Sequence, residues 1–212
     1  MSVPILPIDH PEALPRAAEV LAAGKLVVLP TDTVYGVAAD LWNPEAVAAL
    51  YAAKGRPPDK AIPVLLAGLE DAPQVAATLP EAARFLAEAF WPGPLTLVVP
   101  KRAEVPPIVS ALPTIGLRVP DHDGARAVIR AGGGALAITS ANRSDEPNTL
   151  TVQEAAEALG ETLALALDGG RCLGGQPSTV ALVPTGGDDL QILRPGPLSE
   201  KELQAALDRA RQ

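Results

Sequence analysis

Two short segments concentrate groups that could hold a charged ligand. Pro30-Thr31-Asp32-Thr33-Val34-Tyr35-Gly36 sets hydroxyls, a carboxylate and a phenol directly after the apolar run Leu26-Val27-Val28-Leu29. Lys54-Gly55-Arg56-Pro57-Pro58-Asp59-Lys60 then gathers three cations around a Gly-Pro-Pro turn. Cations at a helix end complement its carbonyl dipole, so a solvated terminus is their plain structural role. Three in seven residues exceed what capping requires, and the loop suits an anion such as a polyphosphate, with forked contacts from Arg and a point charge from Lys. Thr-Asp-Thr keeps two roles open at this point: a self-capping turn, or a hydroxyl wall for a small polar ligand at a sheet edge.

Later segments add to the set. Arg118 sits in Gly116-Leu117-Arg118-Val119-Pro120, inside an otherwise apolar strand, where a guanidinium needs a carboxylate from the protein or from a ligand; alone, the internal ion pair is the plainer choice. Thr139-Ser140-Ala141-Asn142-Arg143-Ser144 leaves another strand at its C-terminal end, the edge where open α/β sheets bind ligands. Gln176-Pro177-Ser178-Thr179-Val180 places two hydroxyls at a strand start, and Arg194-Pro195-Gly196 follows the last strand. Six of the 17 Lys and Arg residues (Lys54, Arg56, Lys60, Arg118, Arg143, Arg194) lie in these motifs, although the chain carries a net charge of −8. Neither Gly-x-x-x-x-Gly-Lys-Ser/Thr nor Gly-x-Gly-x-x-Gly occurs, so any nucleotide must be held by another route.

These segments need a scaffold. Apolar runs predict strands at 26–29, 62–66, 95–99, 115–119, 136–139, 163–167, 179–183 and 190–193. Helical patterns cover 11–23, 80–89, 124–131, 152–159 and 199–210, and Asn43-Pro44 reads as an N-cap with Pro at the first position of a helix running to Lys54. Strands and helices without strict alternation predict an α/β fold around a mixed sheet. Gly132-Gly133-Gly134 reads as a tight helix-to-strand turn and Gly186-Gly187-Asp188-Asp189 as a hairpin tip. Trp91-Pro92-Gly93-Pro94 and Arg194-Pro195-Gly196-Pro197 read as rigid turns that could present a site.

Composition narrows the function classes. With 212 residues and 48% hydrophobic content, one domain spanning 1–212 is expected. Met1 to His10 lacks the pattern of a secretory leader, and every apolar stretch is interrupted well before the roughly 20 residues of a membrane span, so a cytosolic chain with no membrane partner is expected. One cysteine, Cys172, allows no internal disulfide framework, and with only His10 and His122 a thiolate-imidazole metal cage is not expected. The acidic balance and 3% aromatic content argue against bulk nucleic-acid binding as the main work, while leaving room for a local basic cleft.

Taken in order, the motifs closely resemble those of the YrdC-like threonylcarbamoyl-AMP synthases, from Val27 to Gly196: Pro30 to Gly36, Lys54 to Pro57, Trp91-Pro92-Gly93-Pro94-Leu95-Thr96, Arg118-Val119-Pro120, Ser140 to Ser144, Pro177 to Val180 and Leu193 to Gly196. The resemblance implies a twisted mixed sheet bent around a deep concave cleft and flanked by helices. It implies an enzyme joining L-threonine, bicarbonate or CO2 and ATP into threonylcarbamoyl-AMP and pyrophosphate, for tRNA threonylcarbamoyladenosine modification. By the same resemblance Lys54 and Arg56 with Ser140 and Asn142 surround the nucleotide and Lys54 and Arg56 neutralise the triphosphate, with Lys60, Asn148 and Arg194 also on the ATP side. Thr31, Thr33, Arg118, Thr139 and Ser178 fall around threonine, with Arg118 toward its carboxylate. Mg2+ is expected on the phosphates, held mainly by ATP and water; Asp32 is either a metal ligand, a supporting group or a turn residue.

The resemblance is to the short, single-domain form of the family, so cleft closure is expected from the chain's own loops or termini. Leu65-Leu66 falls where the longer branch often has a histidine near threonine. A tRNA-modifying threonylcarbamoyl transferase is the expected partner. Two alternatives accompany this reading: carbamoyl-adenylate formation from carbamoyl phosphate, as in the related domain of hydrogenase-maturation carbamoyltransferases, and a module binding tRNA or double-stranded RNA in the same cleft.

Overall fold

The computed structural model describes residues 3–57, 60–183 and 190–210. In chain order its strands are β1 (Ile5–Pro7), β2 (Leu26–Leu29), β3 (Gly36–Ala39), β4 (Val64–Leu66), β5 (Leu95–Pro100), β6 (Thr114–Arg118), β7 (Ala135–Ser140), β8 (Leu163–Asp168), β9 (Thr179–Leu182) and β10 (Gln191–Arg194). Its α-helices are α1 (Ala13–Ala22), α2 (Pro44–Lys54), α3 (Glu81–Phe90), α4 (Asp123–Ala131), α5 (Val152–Leu159) and α6 (Glu200–Ala210). All ten strands join one sheet in the order β1-β8-β2-β3-β7-β4-β6-β5-β9-β10. Four neighbouring pairs are parallel (β1/β8, β2/β8, β4/β6, β5/β9) and the others antiparallel, so the sheet is mixed as expected.

Alternation along the strands divides the interior into two layers. Leu26, Val28, Val64, Leu66, Leu95, Leu97, Ile115 and Leu117 face α2, α3, α5 and α6. Val27, Leu29, Leu136, Ile138, Leu165 and Leu167 face α1 and α4 through Ala13, Ala17, Leu21, Ala125, Val128 and Ile129. That second pair of helices packs on the β8-β2-β3-β7 side. Toward β6, β5 and β9 the same face carries Gly116, Arg118, Thr96 and Ser178, of which Arg118, Thr96 and Ser178 line a pocket.

Local chemistry sets the helix that delivers the cationic loop. Asn43 caps α2 by accepting from the N–H groups of Glu45 and Ala46, Pro44 opens it, and Gly55 ends it at φ +57, where a left-handed residue closes the last turn. The Gly132-Gly133-Gly134 turn is as expected, with φ of +101 and +94 at Gly133 and Gly134. Observed element ends differ from the expected ones by a residue or two. Two strands went unread: β1 is a three-residue edge strand ending in Pro, and β3 is Gly-Val-Ala-Ala, too short and small-sided to register as a strand although all four residues are buried. The expected tip at 186–189 lies outside the described residues. Among those described, no helix is long and apolar enough to cross a membrane.

Candidate active site

The strand directions set the C-terminal ends of β6 and β10 beside the N-terminal ends of β5 and β9 at one edge of the sheet, and the C-terminal end of β7 beside the N-terminal end of β3 at the other, and residues of both sets line one pocket. The pocket there draws on Thr31, Thr33, Leu65, Thr96, Arg118 and Ile138, and on Thr139, Ser140, Asn148, Ser178, Arg56 and Arg194. It encloses about 160 Å3. Nine of the twelve sequence-predicted site residues therefore converge; Lys54 and Asn142 lie behind the wall, Lys60 lies outside it, and Thr96 and Leu65 join it.

On the Thr31 side every proton has a destination. Thr31 Oγ1 donates to Val34 O at 2.7 Å and accepts from the backbone N–H groups of Thr33 and Val34. Its only proton being spent, the 3.0 Å contact between the two hydroxyls runs from Thr33 to Thr31. Thr33 Oγ1 in turn accepts from Arg118 Nη1 at 2.9 Å. The Thr-Asp-Thr turn is thus both a capping turn and pocket wall.

Arg118, 5% exposed, is held on three sides. Its Nε donates to Gly93 O within the Pro-rich turn, and its Nη2 meets Asp32 Oδ1 at 2.5 Å. Asp32 Oδ1 also accepts from Asp121 N at 3.1 Å. The internal ion pair weighed for Arg118 is therefore present, and of its five guanidinium N–H bonds one on each terminal nitrogen has no partner among the described residues. Burial pushes Arg118 below the usual arginine range, the Arg194 charge pushes the same way, and Asp32 opposes both.

Lys54 is placed differently from its expected contact with phosphates. Only 2% exposed, it donates through Nζ to the carbonyls of Ser140 and Asn142, and its own carbonyl accepts from Ser144 N. It is the peg that holds the turn after β7. Burial, then the nearby Arg56 charge, push its pKa down to about 8. Arg56 lines the pocket while its Nε and Nη2 donate to the carbonyls of Lys60 and Ala61, folding the loop back on itself. Lys60 points outward, 3.6 Å from Asp145. Asn142 anchors the turn by donating to the carbonyls of Arg143 and Glu146, and its buried Oδ1 has no partner among the described residues.

Across the pocket, Arg194 donates from Nε and Nη2 to Ser178 O at 3.2 and 2.8 Å. Gly196 makes this possible: a Cβ there would come within 2.3 Å of Thr179 N, so only glycine lets the Arg194 turn lie against residues 177–179. Burial and then Arg56 hold Arg194 below the usual arginine range. Lys54, Arg56, Arg194 and Arg118 thus form a chain of mutually repelling cations, with Asp32 as the carboxylate at one end. Such a site is poised to take up negative charge. Thr96 could have been found in the sequence, as the one polar residue in the run Leu95-Thr96-Leu97-Val98-Val99.

A family model for the Sua5/YciO/YrdC domain, described as telomere recombination, matches residues 19–196. A threonylcarbamoyl-AMP synthase from Bacillus subtilis is 36% identical over 195 residues, which is 91% of this chain and 56% of that protein. A Mycobacterium tuberculosis relative is 37% identical over 202 residues, covering 95% of this chain and 92% of its own length. Among solved structures, Pyrococcus abyssi Sua5 complexed with L-threonine is similar with a TM-score of 0.90 and 34% identity, covering 97% of this chain and 61% of that one. The chain spans little more than half the length of the Bacillus relative.

Proposed function

The chain belongs to the Sua5/YciO/YrdC family, and on that premise we propose that it is a cytosolic threonylcarbamoyl-AMP synthase. It joins L-threonine, bicarbonate or CO2 and ATP, and releases pyrophosphate. The observation that carries this reading is the pocket itself: three guanidinium groups converge on hydroxyls and an apolar patch. The enclosed volume is well below the roughly 300–1,000 Å3 of pockets for drug-sized ligands. That size suits an amino acid inside and a triphosphate along the open side.

The residues divide the work. The two uncommitted N–H bonds of Arg118 take the threonine carboxylate in a fork. Thr33, whose proton is spent and whose oxygen keeps a lone pair beside the one Arg118 fills, accepts from the substrate, and Thr31, fully engaged within the turn, holds it in place. Threonine's amine attacks carbon dioxide, losing a proton as the C–N bond forms, and a carbamate oxygen then attacks the α-phosphorus of ATP as the bond to pyrophosphate breaks. Arg56 and Arg194 steady the phosphate charge, so catalysis is positioning and electrostatic stabilisation without a covalent enzyme intermediate. Lys54 serves by holding the Ser140–Asn142 turn, and Asn148, which lines the pocket, is assigned to the nucleotide side.

Asp32 is committed to Arg118 and to Asp121 N, and among the described residues no acidic cluster is suited to a metal. Mg2+ would be held mainly by phosphate and water oxygens and would neutralise phosphate charge. The product would pass to a tRNA-modifying threonylcarbamoyl transferase. Incubating the protein with ATP, Mg2+, bicarbonate and labelled threonine should give a labelled adenylate and pyrophosphate. Equal turnover without threonine, or turnover that requires carbamoyl phosphate, would overturn the reading; so would tight RNA binding with no turnover.

A further inference from the structure

We infer that Thr96 is a positioning residue for the amino-acid side of the pocket, acting through Ser178; the inference rests on the proposed threonine-dependent reaction. Thr96 stands on β5 between Leu95 and Leu97, which are fully buried on the opposite face, so its side chain is directed to the cleft face. It is 4% exposed, as is Ser178. The two hydroxyls lie 2.8 Å apart. Ser178 Oγ also accepts from Arg194 Nη2 at 3.2 Å.

Beneath Thr96 lies Gly116 of β6. A Cβ on that glycine would stand 3.1 Å from the Thr96 methyl, so the strand leaves room for Thr96 and fixes its methyl against the floor. The hydroxyl then meets Ser178, its one hydrogen-bond partner among the described residues.

Proton counting gives this pair its role. Two hydroxyls carry two protons. One lies between the oxygens, and Arg194 occupies a lone pair of Ser178, so one proton is left over, and both residues line the pocket. When Thr96 donates to Ser178, both Ser178 lone pairs are filled and its own proton is turned outward, away from the guanidinium. The pair thereby offers a single aimed donor, in contrast to the Thr31 and Thr33 wall, which can only accept. A carboxylate or carbamate oxygen is the group such a donor fits. Without Thr96, Ser178 keeps a proton but loses the bond that aims it.

Replacing Thr96 with Val keeps the shape and removes the bond; Thr96→Ser restores the hydroxyl. The loss of one hydrogen bond predicts a rise of about five- to tenfold in KM for threonine. KM for ATP should stay within twofold and the melting temperature close to wild type, and Thr96→Ser should recover most of the loss. A threonine KM unchanged in a folded Thr96→Val protein, or equal rises for ATP and threonine, overturns the assignment while leaving the functional reading intact. Wild-type turnover that ignores threonine overturns that reading and this assignment together. Should Thr96→Val not fold, Gly116→Ala with Thr96 in place serves instead: crowding the Thr96 methyl should produce the threonine-specific rise, and an unaffected KM refutes the role.

Discussion

Lys54 gives the sharpest test, because its effects on stability and on turnover should run in opposite directions with pH. Its folded pKa is about 8, against an ordinary value of 10.5. Between those values the unfolded chain binds more protons than the folded one, so stability must rise with pH over that interval. Below pH 8 the fold carries a buried charge at a cost of about 3 kcal/mol, obtained from the shift at roughly 1.4 kcal/mol per unit. Most of that, about 2 kcal/mol, should be regained between pH 7.5 and 10. Lys54→Met keeps the stem and removes the titration. Near neutrality its net effect on stability is small, because orphaning the Ser140 and Asn142 carbonyls, at about 1–3 kcal/mol each, is offset by relief of the charge. Turnover should behave otherwise: as wild-type Lys54 loses its proton above pH 8, the turn it pegs loosens and adenylate formation falls, and Lys54→Met should be poorly active throughout. Urea unfolding of both proteins from pH 7.5 to 10, beside pyrophosphate release, measures this. A stability gap between wild type and variant that stays flat across that range would refute the reasoning.

Two further substitutions separate the walls of the pocket. Arg56→Ala should raise KM for ATP at least about tenfold, the loss expected for a charge-assisted contact, while KM for threonine changes little; unchanged ATP kinetics would take Arg56 off the nucleotide side. Asp32→Asn strips a buried guanidinium of its countercharge, a loss of about 2–3 kcal/mol since Asp32 is itself partly exposed. For a chain of this length that is a fall of roughly 5–10 °C in melting temperature, visible by calorimetry, and an unaltered melting point would mean the ion pair is not integral to the fold.

How much of this was legible depends on the range of each interaction. Alternation within a strand is local, so Leu95-Thr96-Leu97 and Ile115-Gly116-Leu117-Arg118 disclose which side chains share a face before any partner is known. The capped start and glycine end of α2 are equally local. What the chain could not disclose is who meets whom. Arg118 finds Asp32 from 86 residues away, and Lys54 finds the Ser140 and Asn142 carbonyls at separations of 86 and 88. Those meetings depend on a strand order in which β3 pairs with β7 and β5 with β9, and no periodicity encodes it. Hence motif membership placed Lys54 in the site, while only three-dimensional packing distinguished a peg behind the wall from a contact on it.

The committed protons of the Thr31 and Thr33 turn bear on handedness. That turn offers only lone pairs. Beside it Arg118 offers only N–H bonds, and Leu65, Pro63 and Ile138 offer apolar surface. A tetrahedral carbon set among three walls that each accept a different kind of group has one arrangement of its substituents that satisfies them all. Its mirror image can match two walls and must fail at the third, so the selection of one enantiomer is built into the wiring of hydroxyl protons, with no side chain reserved for the purpose.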